Sequence, residues 1–151
     1  MPDIFGKSAL LLSLLLSTSG AHAASASDSA QTVLANAHGI PHPAVIAHRG
    51  ASFDAPESTA ASYTLARDLG ADYLEMDLQR SKDGVLFALH DNSLLRTTDV
   101  AKKFPARKDS PANAFTMAEL KTLDAGSWFN EAYPQRARPS YKGLQILTLD
   151  E

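Results

Sequence analysis

The sequence of 151 residues contains no cysteine. Disulfide bonds therefore cannot stabilise the fold, and no thiolate can act as a nucleophile or a metal ligand. Any metal ion must be bound through oxygen and nitrogen atoms. Basic residues are not in excess, since the net charge is -3 and the isoelectric point lies near 5.9. A nucleic-acid partner is therefore not expected, because its phosphates attract a basic surface.

Long apolar runs are also scarce, and the clearest one lies near the N-terminus. Residues 8–16 read SALLLSLLL after Lys7, and residues 21–23, Ala-His-Ala, match the pattern that precedes signal-peptidase cleavage. The run is shorter than the roughly 20 residues that cross a bilayer, so a stable membrane anchor is not expected. We therefore predict a signal peptide over residues 1–23 and an exported protein, either periplasmic or secreted.

The rest of the chain divides into a leader and one α/β region. Residues 24–43 are rich in alanine and serine and contain Gly39 and two prolines, which predicts a flexible leader. Apolar patterning then predicts strands at 44–47, 71–78 and 85–89, and helices at 58–69 and 116–123. Residues 91–114 are polar and predicted to be irregular. A further capping-box pattern stands at residues 148–151, where the sequence stops, so we expect a truncated domain over residues 44–151.

Reactive polar side chains lie at or near the C-terminal end of each predicted strand, the end at which parallel α/β folds and (β/α)8 barrels place their active sites. They are His48 and Arg49 after the first strand, Glu75 and Asp77 in the second, and His90 and Asp91 after the third.

Glu75 and Asp77 form the sharpest local pattern. Two residues apart in a strand, their carboxylates project from the same face. Such a pair is neutralised by a hard divalent cation, Ca²⁺ or Mg²⁺, or else it lies on a solvent-exposed face. Arg49 has the planar donor fork that matches phosphate, and the two histidines can transfer protons near neutral pH. Together these groups fit metal-assisted cleavage of a phosphodiester.

Five linked motifs resemble the N-terminal signature of the glycerophosphodiester phosphodiesterase family, in the type that bacteria export. The Arg96-Thr97-Thr98-Asp99 phrase and residues 116–129 are also similar to the family, so the resemblance covers roughly residues 44–151. The five motifs are His48-Arg49-Gly50, Pro56-Glu57-Ser58-Thr59, Glu75-x-Asp77, Lys82-Asp83-Gly84 and His90-Asp91.

The resemblance implies a (β/α)8 TIM barrel of the phospholipase C-like phosphodiesterase type. Such a barrel takes about 250 residues, so this chain is expected to supply its first half. It also implies hydrolysis of a small-molecule glycerophosphodiester to glycerol 3-phosphate and an alcohol, in lipid and glycerol phosphate metabolism. In that chemistry the neighbouring glycerol hydroxyl attacks phosphorus, and water then opens the cyclic phosphate.

The resemblance also implies a role for each matching side chain. The metal is expected to be Ca²⁺ in an exported member, with Mg²⁺ as the alternative. The family's third carboxylate ligand belongs to a later strand, and nothing here matches it. The implied roles are His48 and His90 as the general acid and base, Arg49 on the phosphate, Glu75 and Asp77 on the metal, and Glu57 and Asp91 in support.

Two other interpretations remain open on the sequence alone. One is a related phospholipase of the sphingomyelinase D type, which shares a histidine and an acidic pair; the Lys82-Asp83-Gly84 turn and the His90-Asp91 ending favour the first family. The other is a non-catalytic exported module that binds phosphate and metal without turnover, as the unmatched third ligand would allow. The pattern carries no signal for an oligomeric state.

Overall fold

The computed structural model describes residues 26–151, and the signal peptide predicted for residues 1–23 lies outside them. Within this range short strands and helices alternate and then give way to a long segment of short helices. The strands are β1 (Ile46–His48), β2 (Tyr73–Glu75), β3 (Leu78–Arg80) and β4 (Leu86–Ala88), and the helices are α1 (Ala26–Ala37), α2 (Ala60–Asp68), α3 (Val100–Lys103), α4 (Met117–Leu120) and α5 (Ser127–Ala132). Single 3-10 turns follow at 105–107, 112–114, 134–136 and 139–141.

The predicted leader, residues 24–43, contains helix α1. Four of its 12 residues are alanine, the residue with the highest helix propensity. Its apolar side chains Val33 and Leu34 are exposed. The described part of the chain contains no helix that is long and apolar enough to cross a membrane.

Strands β1 and β2 are parallel neighbours joined through helix α2, so the chain begins with a β-α-β unit. The helix starts as predicted, because Thr59 and Ser62 form a reciprocal capping box at its N-terminus. Gly70 lies just beyond its last turn, as expected for a C-terminal stop. Ile46 on β1 and Leu74 on β2 are exposed. This unit confirms the α/β class and is the building block of a (β/α)8 barrel.

The predicted second strand is two strands, which corrects the single strand at 71–78. The backbone pairs with β1 as far as Glu75, and from Leu78 it pairs with the antiparallel strand β4 instead. Met76 and Asp77 lie between β2 and β3, where the backbone exchanges β1 for β4 as its neighbour. Asp83 stabilises the turn between β3 and β4. Its Oδ1 accepts hydrogen bonds from the Ser81 hydroxyl (2.6 Å) and from the Met117 N–H (2.9 Å).

The segment after β4 folds back over the strand instead of remaining irregular throughout. Its main core contains Phe87 of β4 with Leu94, Phe115 and Leu120, all fully buried. Helix α4 begins at the predicted capping box of Thr116 and Glu119.

A second, smaller core holds the loop after β1 in place. Phe129 of α5 and Tyr141 pack around Ala55, and their rings meet edge to face at 5.7 Å. The Tyr141 hydroxyl donates to the Asp54 carbonyl at 2.8 Å. Residues 51–56 are therefore fixed from outside the β-α-β unit, and this loop leads directly into Glu57.

Candidate active site

The end of β1 places the first site residues in a strained backbone. His48 pairs with Glu75 in the parallel register, so the two strand ends lie side by side. Arg49 follows with φ of 58°, in the left-handed region that residues other than glycine rarely adopt. Its carbonyl accepts hydrogen bonds from the Ser58 N–H and the Ser62 hydroxyl, both at 3.1 Å. Strain of this kind, held by surrounding bonds, is often found at functional sites.

The Arg49 side chain faces two carboxylates. Its Nη1 donates to Glu57 Oε1 at 3.2 Å, and its Nε lies 3.2 Å from Asp77 Oδ2. The second contact is an ion pair without hydrogen-bond geometry. Both atoms are buried, and neither has a hydrogen-bond partner among residues 26–151. Two buried polar atoms of opposite charge therefore face each other without a hydrogen bond.

Glu75 and Asp77 both contact Arg49, although the two residues do not lie in one strand. Glu75 Oε2 accepts a hydrogen bond from the Arg49 backbone N–H at 2.9 Å, while Asp77 reaches the guanidinium. The break at residues 76–77 removes the strand alternation on which the sequence argument relied. Within residues 26–151 no group of three or more histidine and carboxylate side chains is arranged to hold a metal ion. The assignment of this pair to a metal remains a prediction.

His90 lies just beyond β4, with its ring half exposed. Its Nδ1 is 2.7 Å from Asp91 Oδ1. The Leu89 N–H donates to the Asp77 carbonyl at 3.1 Å, so the end of β4 is bonded to the connection that carries Asp77. The first histidine differs, because the ring of His48 is exposed and makes no hydrogen bond within the described residues.

Arg96 was not predicted as a site residue, yet it contacts both supporting carboxylates. Nε and Nη2 donate to Asp91 at 2.7 and 2.9 Å, and Nη1 and Nη2 each donate to Glu57 at 2.8 Å. Glu57 and Arg96 are 39 residues apart. No periodic pattern links two loop residues at that separation, so the one sequence signal was the similarity of residues 96–99 to the family.

The electrostatics of the site follow from these contacts. Hydrogen bonds from Arg96 are the largest cause that holds the pKa of Asp91 well below its ordinary value. Burial by itself raises the pKa of Glu57, but hydrogen bonds and charge from Arg96 and Arg49 outweigh it and leave the pKa lowered. Both carboxylates are therefore ionised near neutral pH.

Tyr63 is a buried phenol beside the carboxylates of the site. Burial is the largest cause that raises the pKa of Tyr63; the Ser58 hydroxyl lowers it, and the charges of Glu75, Asp77 and Glu57 raise it further. Three carboxylates thus act on this one hydroxyl.

The fold and site define the class of protein. A β-α-β unit carries histidine, arginine and carboxylate side chains at its strand ends, where α/β enzymes of the barrel type bind their substrates. The chain belongs to the glycerophosphoryl diester phosphodiesterase family, whose sequence profile matches residues 48–151. This finding confirms the family that the motifs indicated.

Curated relatives bear the family's activity in their names. The glycerophosphodiester phosphodiesterase of Bacillus subtilis (strain 168) is 50% identical over 106 residues, which are 70% of this chain and 33% of the relative. A glycerophosphoinositol inositolphosphodiesterase of Homo sapiens is 46% identical over 94 residues, 62% of this chain and 17% of the relative. The chain therefore spans a third or less of the length of these two relatives.

Solved structures of the family match the fold. The glycerophosphodiester phosphodiesterase of Agrobacterium tumefaciens shares 38% identity with a TM-score of 0.57, over 71% of this chain and 39% of that one. An Oleispira antarctica phosphodiesterase, solved with the product sn-glycerol-3-phosphate, shares 41% identity with a TM-score of 0.58, over 71% and 37%. The described residues thus correspond to part of the family's barrel, as the sequence predicted.

Proposed function

We propose that the protein to which this chain belongs hydrolyses glycerophosphodiesters to glycerol 3-phosphate and an alcohol. The observation that carries the proposal is the setting of Arg49. Its Nε is buried, faces a carboxylate at 3.2 Å and lacks a hydrogen-bond partner in the described residues. A phosphodiester bound beside this guanidinium would be stabilised by its positive charge. The product complex of the Oleispira antarctica relative supports glycerol 3-phosphate as the product.

The two histidines divide the proton transfers. In the first step one histidine takes the proton of the glycerol hydroxyl next to the phosphodiester, whose oxygen forms a new bond to phosphorus. The bond from phosphorus to the alcohol breaks, and the other histidine protonates the departing oxygen. A cyclic phosphate results, and water opens it with the two roles reversed. His90 and His48 are suited to this because each lies at a strand end with an exposed ring.

Asp91 determines which nitrogen of His90 takes part. An ionised carboxylate can only accept a hydrogen bond, so the 2.7 Å contact places a hydrogen on Nδ1. The Nε2 atom is then the one that exchanges a proton with substrate. Asp91 thus supports the reaction without touching the phosphate.

A divalent cation fits the acidic pair. Asp77 Oδ2 is buried without a hydrogen-bond partner among residues 26–151, and carboxylate oxygens are the ligands that Ca²⁺ and Mg²⁺ prefer. Glu75 and Asp77 would hold the ion, with Ca²⁺ the first choice in an exported protein. When bound, such an ion neutralises negative charge on the phosphoryl oxygens. Ligands beyond these two carboxylates would come from other groups.

The expected setting is outside the cytoplasm, where the enzyme would act on small diesters released from phospholipids. The signal-peptide pattern of residues 1–23 supports this location. The reaction would supply glycerol phosphate for lipid and glycerol metabolism.

The test is release of glycerol 3-phosphate from glycerophosphocholine by the product of the complete reading frame. The assay is run with Ca²⁺, with Mg²⁺ and with a chelator, beside His48→Ala and His90→Ala. We expect metal-dependent release in the unaltered protein and a loss of about a hundredfold or more in either variant, because each would lack one proton-transfer group.

Thr64→Ala serves as a matched control, because Thr64 lies on the exposed side of α2 and outside the site. Binding of glycerophosphocholine without any release would contradict the proposal and favour a non-catalytic binding protein. Release that persists unchanged in both histidine variants would contradict the assigned roles.

A further inference from the structure

The guanidinium of Arg96 is occupied along two of its edges. The edge formed by Nε and Nη2 binds both oxygens of Asp91 at 2.7 and 2.9 Å. The edge formed by Nη1 and Nη2 binds both oxygens of Glu57, each at 2.8 Å. Two bidentate pairs in one plane need the fixed fork geometry of arginine, which the ammonium group of lysine does not have.

Each of these carboxylates also contacts one residue that the proposed reaction uses. Glu57 Oε1 accepts from Arg49 Nη1 at 3.2 Å, and Asp91 Oδ1 lies 2.7 Å from His90 Nδ1. A continuous series of charged contacts therefore runs from the phosphate-binding arginine at the end of β1 to the histidine beyond β4. Arg96 is its central member.

Partial burial restricts the movement of the two carboxylates in this series. The Glu57 side chain is 13% exposed and that of Asp91 28%, whereas Arg96 is 43% exposed. The Trp128 ring lies 6.0 Å from the Arg96 guanidinium carbon and backs it on one face. Without Arg96, the charged partners left among residues 26–151 would be Arg49 for Glu57 and His90 for Asp91. Each carboxylate could then rotate about its side chain and carry its remaining partner with it.

We propose that Arg96 is a positioning residue, which sets the orientation of Arg49 and of the His90 ring through Glu57 and Asp91. The proposal rests on the function proposed above and adds a residue to it. A displacement of about 1 Å at reacting groups can cost a hundredfold in rate, so orientation alone gives a measurable effect.

The first experiment compares Arg96→Gln and Arg96→Lys in the protein expressed from its complete reading frame. The control is Arg67→Gln, which removes a similar arginine–aspartate pair, at 3.0 and 2.8 Å, from the exposed surface of α2. With glycerophosphocholine we expect kcat to fall about 10- to 100-fold in both Arg96 variants, the usual effect of losing a supporting partner. The control should keep the kcat of the unaltered protein.

Two outcomes of that comparison would overturn the proposal. A kcat within about twofold of the unaltered protein in Arg96→Gln would show that neither group is positioned by Arg96, since a real displacement costs more than this. Full activity in Arg96→Lys would show that charge is sufficient and that the double fork has no role.

A double-variant cycle tests whether the members act together. Because Arg96 acts partly through Asp91 and partly through Glu57, the variant carrying Arg96→Gln and Asp91→Asn should lose less kcat than the product of the two single losses. Losses that multiply would mean that the two residues act independently, and the proposal would be wrong.

The last measurement does not depend on turnover. In the unaltered protein we expect the Nδ1–H proton of His90 to give a low-field NMR signal, identified by its absence in His90→Gln. In Arg96→Gln this signal should shift or disappear through exchange with water, while Arg67→Gln should leave it in place. An unchanged signal in Arg96→Gln would refute the positioning role. Absence of turnover in the unaltered protein, with the signal behaving as expected, would refute the proposed function alone.

Discussion

A substitution at Gly50 tests the closest backbone approach in the site. Gly50 follows Arg49 with φ of +81°, and a Cβ atom built there would lie 2.6 Å from both the backbone carbon and the hydroxyl oxygen of Ser62. Gly84, in the turn between β3 and β4, has a similar φ of +93° but nothing within 4 Å of the corresponding position. The two glycines thus share the backbone requirement and differ in the surrounding space.

Two effects determine the expected loss of stability: the left-handed backbone and the space available for a Cβ atom. A left-handed backbone costs an alanine roughly 1–2 kcal/mol, which is the whole effect expected for Gly84→Ala. In Gly50→Ala the first residues of α2 must also move, and overpacking of this kind typically costs about 1–3 kcal/mol more. We therefore expect Gly50→Ala to lower the free energy of unfolding by about 2–5 kcal/mol, against a total that is commonly about 5–15 kcal/mol.

The assay is urea unfolding of both variants. Where the free energy of unfolding falls with urea concentration at the same slope in both, a difference in midpoint reports a difference in stability. Movement of Ser62 would also weaken its 3.1 Å hydrogen bond to the Arg49 carbonyl, so Gly50→Ala should lose turnover even where it is folded. If the two variants were equally destabilised to within about 0.5 kcal/mol, the close packing of this loop on α2 would be refuted, because strain alone would explain both.

Three further predictions concern the core, a turn and acid stability. Phe87→Ala should lower the free energy of unfolding by about 3–5 kcal/mol, because the ring is fully buried; a urea midpoint close to that of the unaltered protein would contradict the packing. Asp83→Ala should lower the urea midpoint in the same assay by removing the acceptor of the Met117 N–H, whereas Asp83→Asn should retain part of the stability that this hydrogen bond contributes. Since Arg96 lowers the folded pKa of Asp91 below its ordinary 3.8, the stability this carboxylate contributes is complete above about pH 4 and is lost as the pH falls further. Arg96→Gln should therefore lose less stability than the unaltered protein between neutral pH and acid pH, and equal losses would argue against this pair.

Local signals in the sequence were sufficient for the elements that begin the fold. The capping residues Thr59 and Thr116 start helices where predicted, because a cap acts within three residues and can be read directly. The strand ends that carry Arg49 and His90 were also identified, since short apolar runs mark strands; the run in β1 is exposed in the described residues, as Ile46 shows. Helix α1 in the alanine-rich leader was not predicted, because composition that suits a linker suits a helix equally well.

Features that depend on distant partners were not predictable in the same way. The change of strand partner after Glu75 is a property of two sheets, and no residue between Ala71 and Leu78 signals it. The ion pairs of Arg96 join loops far apart in sequence, and charged residues in loops are ordinarily solvated and carry no sign of a partner. The similarity of the Arg96-Thr97-Thr98-Asp99 phrase to the family pointed to the right residue without indicating its contacts.

The sequence grouped Glu75 and Asp77 by strand alternation, whereas in the structure each of them contacts Arg49. Strand alternation predicted that Glu75 and Asp77 share a face, but the strand ends at Glu75 and the alternation does not extend to Asp77. Glu75 accepts a hydrogen bond from the Arg49 N–H, and Asp77 pairs with the Arg49 guanidinium. A cation bound by this pair would therefore lie beside Arg49, the proposed phosphate ligand. It follows that replacing Arg49 should disturb cation binding as well as substrate binding, whereas a pair fixed by its own strand would keep its affinity for the cation.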